Sequence, residues 1–179
     1  MWNWAAMEIA SCGLHWCSRS GVGTWGAFVG LVIQLIFIRI AAWQMALVAS
    51  VALVIGLIVT RPAEELMVEL YGPRKRHTGE IVEHDLNQNC FDEVVGQLIA
   101  GIMVVQLWSD QYDRAVGFLV AFLVFRVLDI RKPWPIKKVE KMFGPGSARG
   151  IVLDDAVAGV MTWLALVIVK HYFPTFGIA

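Results

Sequence analysis

One short stretch of the chain places a carboxylate among cations at the end of an apolar segment. Residues 115–125 are strongly apolar, and Arg126, Asp129, Arg131 and Lys132 follow within a few positions. A Pro-Trp-Pro sequence comes next, and proline predicts a helix end because it lacks a backbone donor and pushes the preceding residue out of the helical region. Tryptophan is typical of the membrane–water interface. The stretch therefore suits the binding of a phosphate beside a metal ion at a membrane surface.

Acidic side chains gather at the ends of three predicted helices. They are Asp85, Asp92, Glu93, Asp129, Asp154 and Asp155. Aspartate is also a preferred helix N-cap, but one cap per helix suffices, and acids near apolar segments are costly unless they are paired or bind a metal. Oxygen ligands that face a phosphate suit Mg²⁺, whereas histidine and cysteine do not repeat at zinc spacing. The set predicts a magnesium site.

Two of these acidic sequences share a spacing that bears on packing. Gly96 follows Asp92 by four residues, and Gly159 follows Asp155 by four residues. Positions four apart share a helix face, so each glycine lets another helix approach beside the acid. We expect the two helices that begin at these acids to pack closely, and we expect their acids to share one cation.

The cations of the first stretch have two interpretations. Arg126 and Lys132 bracket Asp129 at three residues on either side, which suits a phosphate clamp if the helix continues through Asp129. Alternatively, the basic side chains of this stretch only extend their charged ends to the membrane surface, and this interpretation suits Arg131 best. Residues 134–143 alternate apolar and basic side chains, which predicts a helix lying on an anionic membrane surface.

Composition places the chain among integral membrane proteins. Its 179 residues are 58% hydrophobic and 17% charged, with a mean hydropathy of +0.62 and a formal net charge of zero. A soluble domain is nearer half apolar and a quarter charged. We expect an all-α fold, a polytopic membrane helix bundle with about four to five apolar helices, forming a single domain over residues 1–179. The three cysteines form no CxxC motif and are expected to be reduced thiols.

The predicted elements follow from the apolar segments and the loops between them. The apolar segments are residues 27–38, 41–60, 94–108, 115–125 and 156–169. An interfacial turn is expected near the start, a glycine-rich loop over residues 12–26, a helix end at Arg61-Pro62 and a separate helix over residues 63–71. Most cations lie in the loops at residues 72–77 and 131–153, so the positive-inside rule makes both loops cytoplasmic. The acidic site is then expected at the cytoplasmic interface.

Four stretches resemble the phosphatidylglycerophosphatase A family of bacterial inner-membrane lipid phosphatases. They are Gly23-Thr24-Trp25-Gly26, His84-Asp85 with Asp92-Glu93 and Gly96, Phe125-Arg-Val-Leu-Asp129 with Lys132-Pro-Trp-Pro-Ile136, and Gly150-Ile-Val-Leu-Asp-Asp155 with Ala158-Gly159. The Arg-x-x-Asp-x-x-Lys-Pro-Trp-Pro and Asp-Asp-x-x-Ala-Gly stretches are specific together. This sequence departs from the family pattern at Val22, where proline is usual, and at the stretch between Asp85 and Asp92.

The resemblance implies a function and a set of site residues. The function is Mg²⁺-dependent hydrolysis of phosphatidylglycerol phosphate to phosphatidylglycerol, by a multi-pass protein of the bacterial inner membrane whose active site faces the cytoplasm. The expected catalytic residues are Asp129, Asp92 and Glu93. The expected phosphate-binding residues are Arg126, Lys132 and Thr24. The expected metal ligands are Asp85, Asp92, Glu93, Asp129, Asp154 and Asp155.

Other functions fit parts of the same sequence. A phosphatase of another membrane lipid would need the same acids and cations. In a phosphatase of either kind, the group that attacks the phosphate could be a water or a carboxylate, Asp129 or Asp92. A small ion-binding transporter or scaffold would also carry acids, but nearer the middle of the membrane. The expected partners are a phospholipid substrate and an anionic lipid surface, with no nucleic acid.

Overall fold

The computed structural model describes residues 1–16, 22–72, 74–75, 81–82, 88–143 and 147–172, and within them the protein is helical. The helices are α1 (Trp2–Ala10), α2 (Val22–Ile36), α3 (Ala42–Tyr71), α4 (Phe91–Leu107), α5 (Gln111–Arg131), α6 (Ile136–Met142) and α7 (Ala148–Tyr172). Two short strands, β1 (Arg74–Lys75) and β2 (Ile81–Val82), pair antiparallel between α3 and α4.

Helix α4 lies at the centre of the packing. It contacts α1, α2, α3, α5 and α7, and its closest partner is α7. Its buried side chains include Val94, Val95, Leu98 and Val104, which form a core with residues of α2, α3, α5 and α7 such as Phe118. The helix that carries Asp92 and Glu93 is therefore held by contacts with five other helices.

Helix α3 continues through Pro62, so the predicted helix end at Arg61-Pro62 is wrong. The helix runs for 30 residues from Ala42 to Tyr71 and includes the segment that was expected to be separate. Packing on both sides of the proline supports this continuity, because Val59 and Ala63 are buried against α1. Loss of one backbone hydrogen bond at proline is tolerated where neighbouring contacts hold the helix.

Helix α2 begins at Val22, which is earlier than the sequence indicated. Residues 22–26 were expected to belong to a loop, but they form the first turns of this helix. Gly26 is buried there, and a Cβ at this position would lie 2.0 Å from the Cys90 carbonyl oxygen. The glycines at this point therefore allow α2 to approach the start of α4, and they do not mark a loop.

The remaining helices are longer than their apolar segments. Helix α5 starts at Gln111, where Asp110 accepts hydrogen bonds from the first backbone N–H groups, and it ends at Arg131 before the proline sequence. Helix α7 starts at Ala148 and extends past Lys170. By length and composition, Ala42–Tyr71 and Arg149–Tyr172 could each cross a membrane, and Val22–Ile36 is a shorter apolar helix. Two helices thus meet this test among the described residues, and the expected count of four to five apolar membrane helices is not confirmed.

An arginine ties three helix ends together at the end of the bundle away from the acids. Arg114 of α5 donates to the carbonyl oxygens of Ile38 and Ile40 in the turn between α2 and α3, at 2.8 and 3.2 Å. It also donates to the carbonyl of Trp108, at 2.8 Å, just after α4 ends. Carbonyl groups at and beyond a helix end lack partners within the helix, and this side chain donates to three such groups.

Candidate functional site

Three carboxylates from two helices converge at one end of the bundle. One oxygen each from Asp92, Glu93 and Asp155 lie within 4.8 Å of one another. Asp92 and Asp155 are buried, and one oxygen of each α4 acid, Asp92 Oδ1 and Glu93 Oε2, is buried without a hydrogen-bond partner among the described residues. Like charges this close repel unless a proton or a cation lies between them.

Close packing of α4 on α7 brings these acids together, as the shared glycine spacing predicted. A Cβ at Gly96 would lie 2.7 Å from the Asp155 carbonyl oxygen, and a Cβ at Gly159 would lie 2.4 Å from the Gly96 carbonyl oxygen. No side chain larger than hydrogen fits at either position without a shift of the backbone. The two glycines thus set the separation of the helices at the level of the acids.

Arg126 of α5 faces this cluster and holds Asp129, one turn further along the same helix. One terminal nitrogen donates to Asp129 Oδ2 and lies 3.8 Å from Glu93 Oε1, and the other donates to Thr24 Oγ1 at 3.3 Å. The Arg126 Nε is buried without a partner among the described residues. The helix therefore does continue through Asp129, and this places Arg126 on the same face as the aspartate.

Lys132 forms a second ion pair, with an acid of α7. Its Nζ donates to Asp154 Oδ2, which is buried in the second turn of α7. Lys132 is the residue after α5 and adopts a left-handed backbone with φ of 41°. Two acids of the predicted metal set, Asp129 and Asp154, are thus paired with cations, whereas the oxygens of the other three converge.

Burial dominates the electrostatics of the α4 acids, which precede the apolar run that begins at Val94. Burial raises the pKa of the Glu93 carboxyl to about 8, and burial together with the neighbouring Glu93 charge raises the pKa of Asp92 well above its usual range. The nearby Arg126 acts in the opposite direction on Glu93. A bound cation would favour the ionised form of both carboxyls, because metal ligands must be deprotonated.

The start of α2 also borders the site. The exposed Thr24 hydroxyl reaches Arg126, as described above, and Val22 is buried beside it. Of the predicted site residues, Asp85 lies outside the described residues. The other acids and cations all reach this one end of the bundle.

Sequence reasoning missed one polar residue before α4. Asn89 is 5% exposed, and neither its side-chain oxygen nor its nitrogen has a hydrogen-bond partner among the described residues. It lies three residues before Asp92, in the stretch that departs from the family pattern. The departure of this stretch from the family pattern is the signal that could have drawn attention to Asn89. A polar residue just before a helix otherwise resembles ordinary loop sequence.

Comparison with known proteins covers most of the chain. The family model described as phosphatidylglycerophosphatase A matches residues 9–170. The phosphatidylglycerophosphatase A of Escherichia coli (strain K12) is 34% identical over 91 residues, which are 51% of this chain and 48% of that protein. The phosphatidylglycerophosphatase A of Haemophilus influenzae is 24% identical over 152 residues, which are 84% of this chain and 79% of that protein.

A third relative, from Bacteroides thetaiotaomicron, is 28% identical over 88 residues, or 46% of this chain and 54% of its own, and carries the provisional name of a phosphatidylinositol-3-phosphatase. No solved structure matches the chain. With the two candidate spans, the relatives indicate a membrane-associated protein. Because the family model spans nearly the whole sequence, the chain belongs to the phosphatidylglycerophosphatase A family of phosphatases.

Proposed function

We propose that this protein is an enzyme that hydrolyses phosphatidylglycerol phosphate to phosphatidylglycerol and inorganic phosphate, with Mg²⁺ as its cofactor. One observation carries the proposal: three carboxylates, Asp92, Glu93 and Asp155, converge beside two cations. Arg126 lies 3.8 Å from Glu93, and Lys132 pairs with Asp154, the neighbour of Asp155. Acids alone would repel a phosphate, and cations alone would not hold a metal. The combination suits both a metal ion and a phosphate, and membership of the family supports phosphatidylglycerol phosphate as the substrate.

The residues present fit a hard divalent cation. The three carboxylates supply only oxygen ligands, and Asp92 Oδ1 and Glu93 Oε2 have unused lone pairs in a buried position. Mg²⁺ binds through a few carboxylates and the oxygens of a substrate phosphate. When bound, it would neutralise charge on the phosphate and polarise the bond that breaks.

The cations are proposed to bind the phosphate. Arg126 keeps a buried Nε without a partner among the described residues and already directs a terminal nitrogen at the exposed Thr24 hydroxyl, so its planar group can grip two phosphate oxygens. Lys132, whose side chain is 32% exposed, offers a single point charge. Both side chains would exchange part of their contact with an aspartate for contact with the substrate.

Asp129 is proposed as the catalytic carboxylate. It is a close neighbour of Asp155 and is held by Arg126, so it stands at the boundary between the metal ligands and the phosphate-binding cations. A carboxylate in this place can take a proton from water or attack the phosphorus itself. In either case it acts on the substrate and not mainly on the metal.

The site is proposed to face the cytoplasm at the surface of the bacterial inner membrane, in a multi-pass protein that forms a single domain over residues 1–179. Trp134 is 76% exposed beside α6, and Lys137 and Lys138 are exposed on that helix, whereas Ile136 is buried against the bundle. Exposed aromatic and basic side chains suit a surface of anionic lipid headgroups. This arrangement supports a site at the level of a lipid phosphate.

Phosphate release tests the enzymatic proposal. Protein purified in detergent should release inorganic phosphate from phosphatidylglycerol phosphate, and EDTA should stop the release until Mg²⁺ is restored. Asp129→Asn should remove turnover but keep divalent-metal binding, whereas Asp155→Asn should lose both. Equal loss of metal binding in the two variants would contradict the division of roles.

A second candidate is the hydrolysis of another lipid phosphomonoester, and the Bacteroides thetaiotaomicron relative favours it. The same assay with phosphatidylinositol 3-phosphate compares the two headgroups directly. A higher kcat/KM for the inositol lipid would make that lipid the preferred substrate, and the proposed phosphatase reaction would be unchanged.

Labelling of single cysteines tests the orientation. We expect a cysteine at Lys138, on α6, to react only after the inner membrane is made permeable. A cysteine at Tyr112, which is 65% exposed at the opposite end of α5, should react from the periplasm. The reverse pattern would place the acidic site on the outer face.

A further inference from the structure

The backbone at the start of α2 lies so close to the carboxylate cluster that no side chain fits between them. A Cβ built on Gly23 would lie 1.9 Å from Glu93 Oε1 and 3.0 Å from Glu93 Cδ, and 3.4 Å from an Arg126 terminal nitrogen. The space that a methyl group would fill at Gly23 therefore holds the Glu93 carboxylate. The other close approaches of α2 involve different groups, since Gly26 meets Cys90 and Gly30 meets the Gln97 side chain and the Val94 carbonyl, and neither meets a carboxylate.

The contact matters because Glu93 has few other restraints. Its carboxylate lies 3.8 Å from Arg126, which is a long ion pair, and its Oε2 is buried without a hydrogen-bond partner among the described residues. Asp92 is the residue directly before Glu93 on α4, so the helix alone does not direct both side chains to one point. The backbone of α2 at Gly23 is the surface against which the Glu93 carboxylate rests.

We propose that Gly23 is a positioning residue, whose missing side chain leaves the space from which the Glu93 carboxylate reaches the metal ion shared with Asp92 and Asp155. The inference rests on the proposed metal site and adds a residue outside the acids themselves. A methyl group at Gly23 must displace the end of the Glu93 side chain, because that end is the flexible partner in the contact. The displaced carboxylate no longer converges with the other two.

Binding of Mn²⁺ alone to the purified full-length protein, followed by the electron paramagnetic resonance of free Mn²⁺, tests this role. Gly23→Ala should weaken Mn²⁺ binding about tenfold or more, the loss typical when a residue that orients a metal ligand is changed. Its thermal unfolding should not fall, since alanine favours helix over glycine. The matched control is Gly56→Ala, where a Cβ meets its neighbours at 3.4 to 3.6 Å, which is ordinary contact, and Mn²⁺ affinity should equal that of the parent.

A second-site variant separates positioning from a general effect on packing. Glu93→Asp shortens the side chain by one methylene group and withdraws its carboxylate from the space beside Gly23. Glu93→Asp and Gly23→Ala/Glu93→Asp should therefore bind Mn²⁺ equally, although Gly23→Ala is costly when Glu93 is present. The comparison of these two variants also decides the matter if Gly23→Ala alone does not fold.

The outcomes are distinct. A tenfold loss from Gly23→Ala in both backgrounds would overturn the role through Glu93, as would parent-like affinity in Gly23→Ala. A parent protein that binds no Mn²⁺ would overturn the metal site and this inference together. A parent that binds Mn²⁺ while Gly23→Ala has no effect would overturn the inference alone.

Discussion

Replacement of Arg126 by lysine keeps the positive charge but removes the geometry that the site uses. The arginine reaches in two directions at once, with one terminal nitrogen on Asp129 and the other 3.3 Å from Thr24 Oγ1. A lysine ammonium is a single centre and can hold one of these positions. It cannot also donate the parallel hydrogen bonds that a guanidinium gives to phosphate.

The expected loss follows from the bonds that the lysine cannot make. One hydrogen bond to a charged group contributes about 1.5–3 kcal/mol. At about 1.4 kcal/mol for each factor of ten in rate, its loss lowers kcat/KM by roughly ten- to a hundredfold. The assay is phosphate release by variants whose helical content and Mn²⁺ binding match those of the parent.

Arg131→Lys is the matched control for this experiment, because Arg131 lies on the same helix but its side chain is exposed. We expect its activity to stay within about twofold of the parent, since exposed charges contribute little. Full activity in Arg126→Lys together with a large loss in Arg131→Lys would show that the phosphate binds on another face of α5.

Three further changes test the packing and the metal site. Asp92→Asn should weaken Mn²⁺ binding while helical content is retained, and unchanged binding would remove Asp92 from the ligand set. Gln34→Leu should lower the free energy of unfolding by about 1–3 kcal/mol in detergent, because the buried Gln97 amide loses its partner; parent-like thermal unfolding would contradict this. Gly96→Ala should be destabilised by about 1–3 kcal/mol through overpacking against Phe125 of α5 and the Asp155 carbonyl of α7, whereas Gly56→Ala should unfold like the parent.

The sequence predicted the features that depend on spacing along one helix. Asp129 lies one turn from Arg126 whatever the rest of the fold does, so their pairing required only a continuous helix. The glycines that follow Asp92 and Asp155 predicted a close approach of the two helices, because a missing side chain leaves room for the backbone of a neighbouring helix. Both predictions are confirmed by the packing of α4 on α7 and by the course of α5.

Other features depend on contacts between distant parts of the chain and could not be predicted from local pattern. Pro62 is a helix breaker by propensity, but α1 packs against α3 on both sides of it. The glycines at the start of α2 resemble a loop until the backbone of α4 is seen beside them. The division of the acids into three that converge and two that pair with cations likewise requires the positions of α5 and α7.

The central position of α4 divides the molecule into regions that should tolerate substitution very differently. Nearly every side chain of α4 is at least partly buried, with Gln106 the exposed exception in this helix. On α3, by contrast, Leu47, Val51, Val54 and Ile58 are more than half exposed. Saturation mutagenesis should therefore find that these α3 positions accept almost any apolar residue, whereas α4 accepts few changes of any kind. Natural variation within the family should collect on the outer faces of α3 and leave the sequence of α4 nearly fixed.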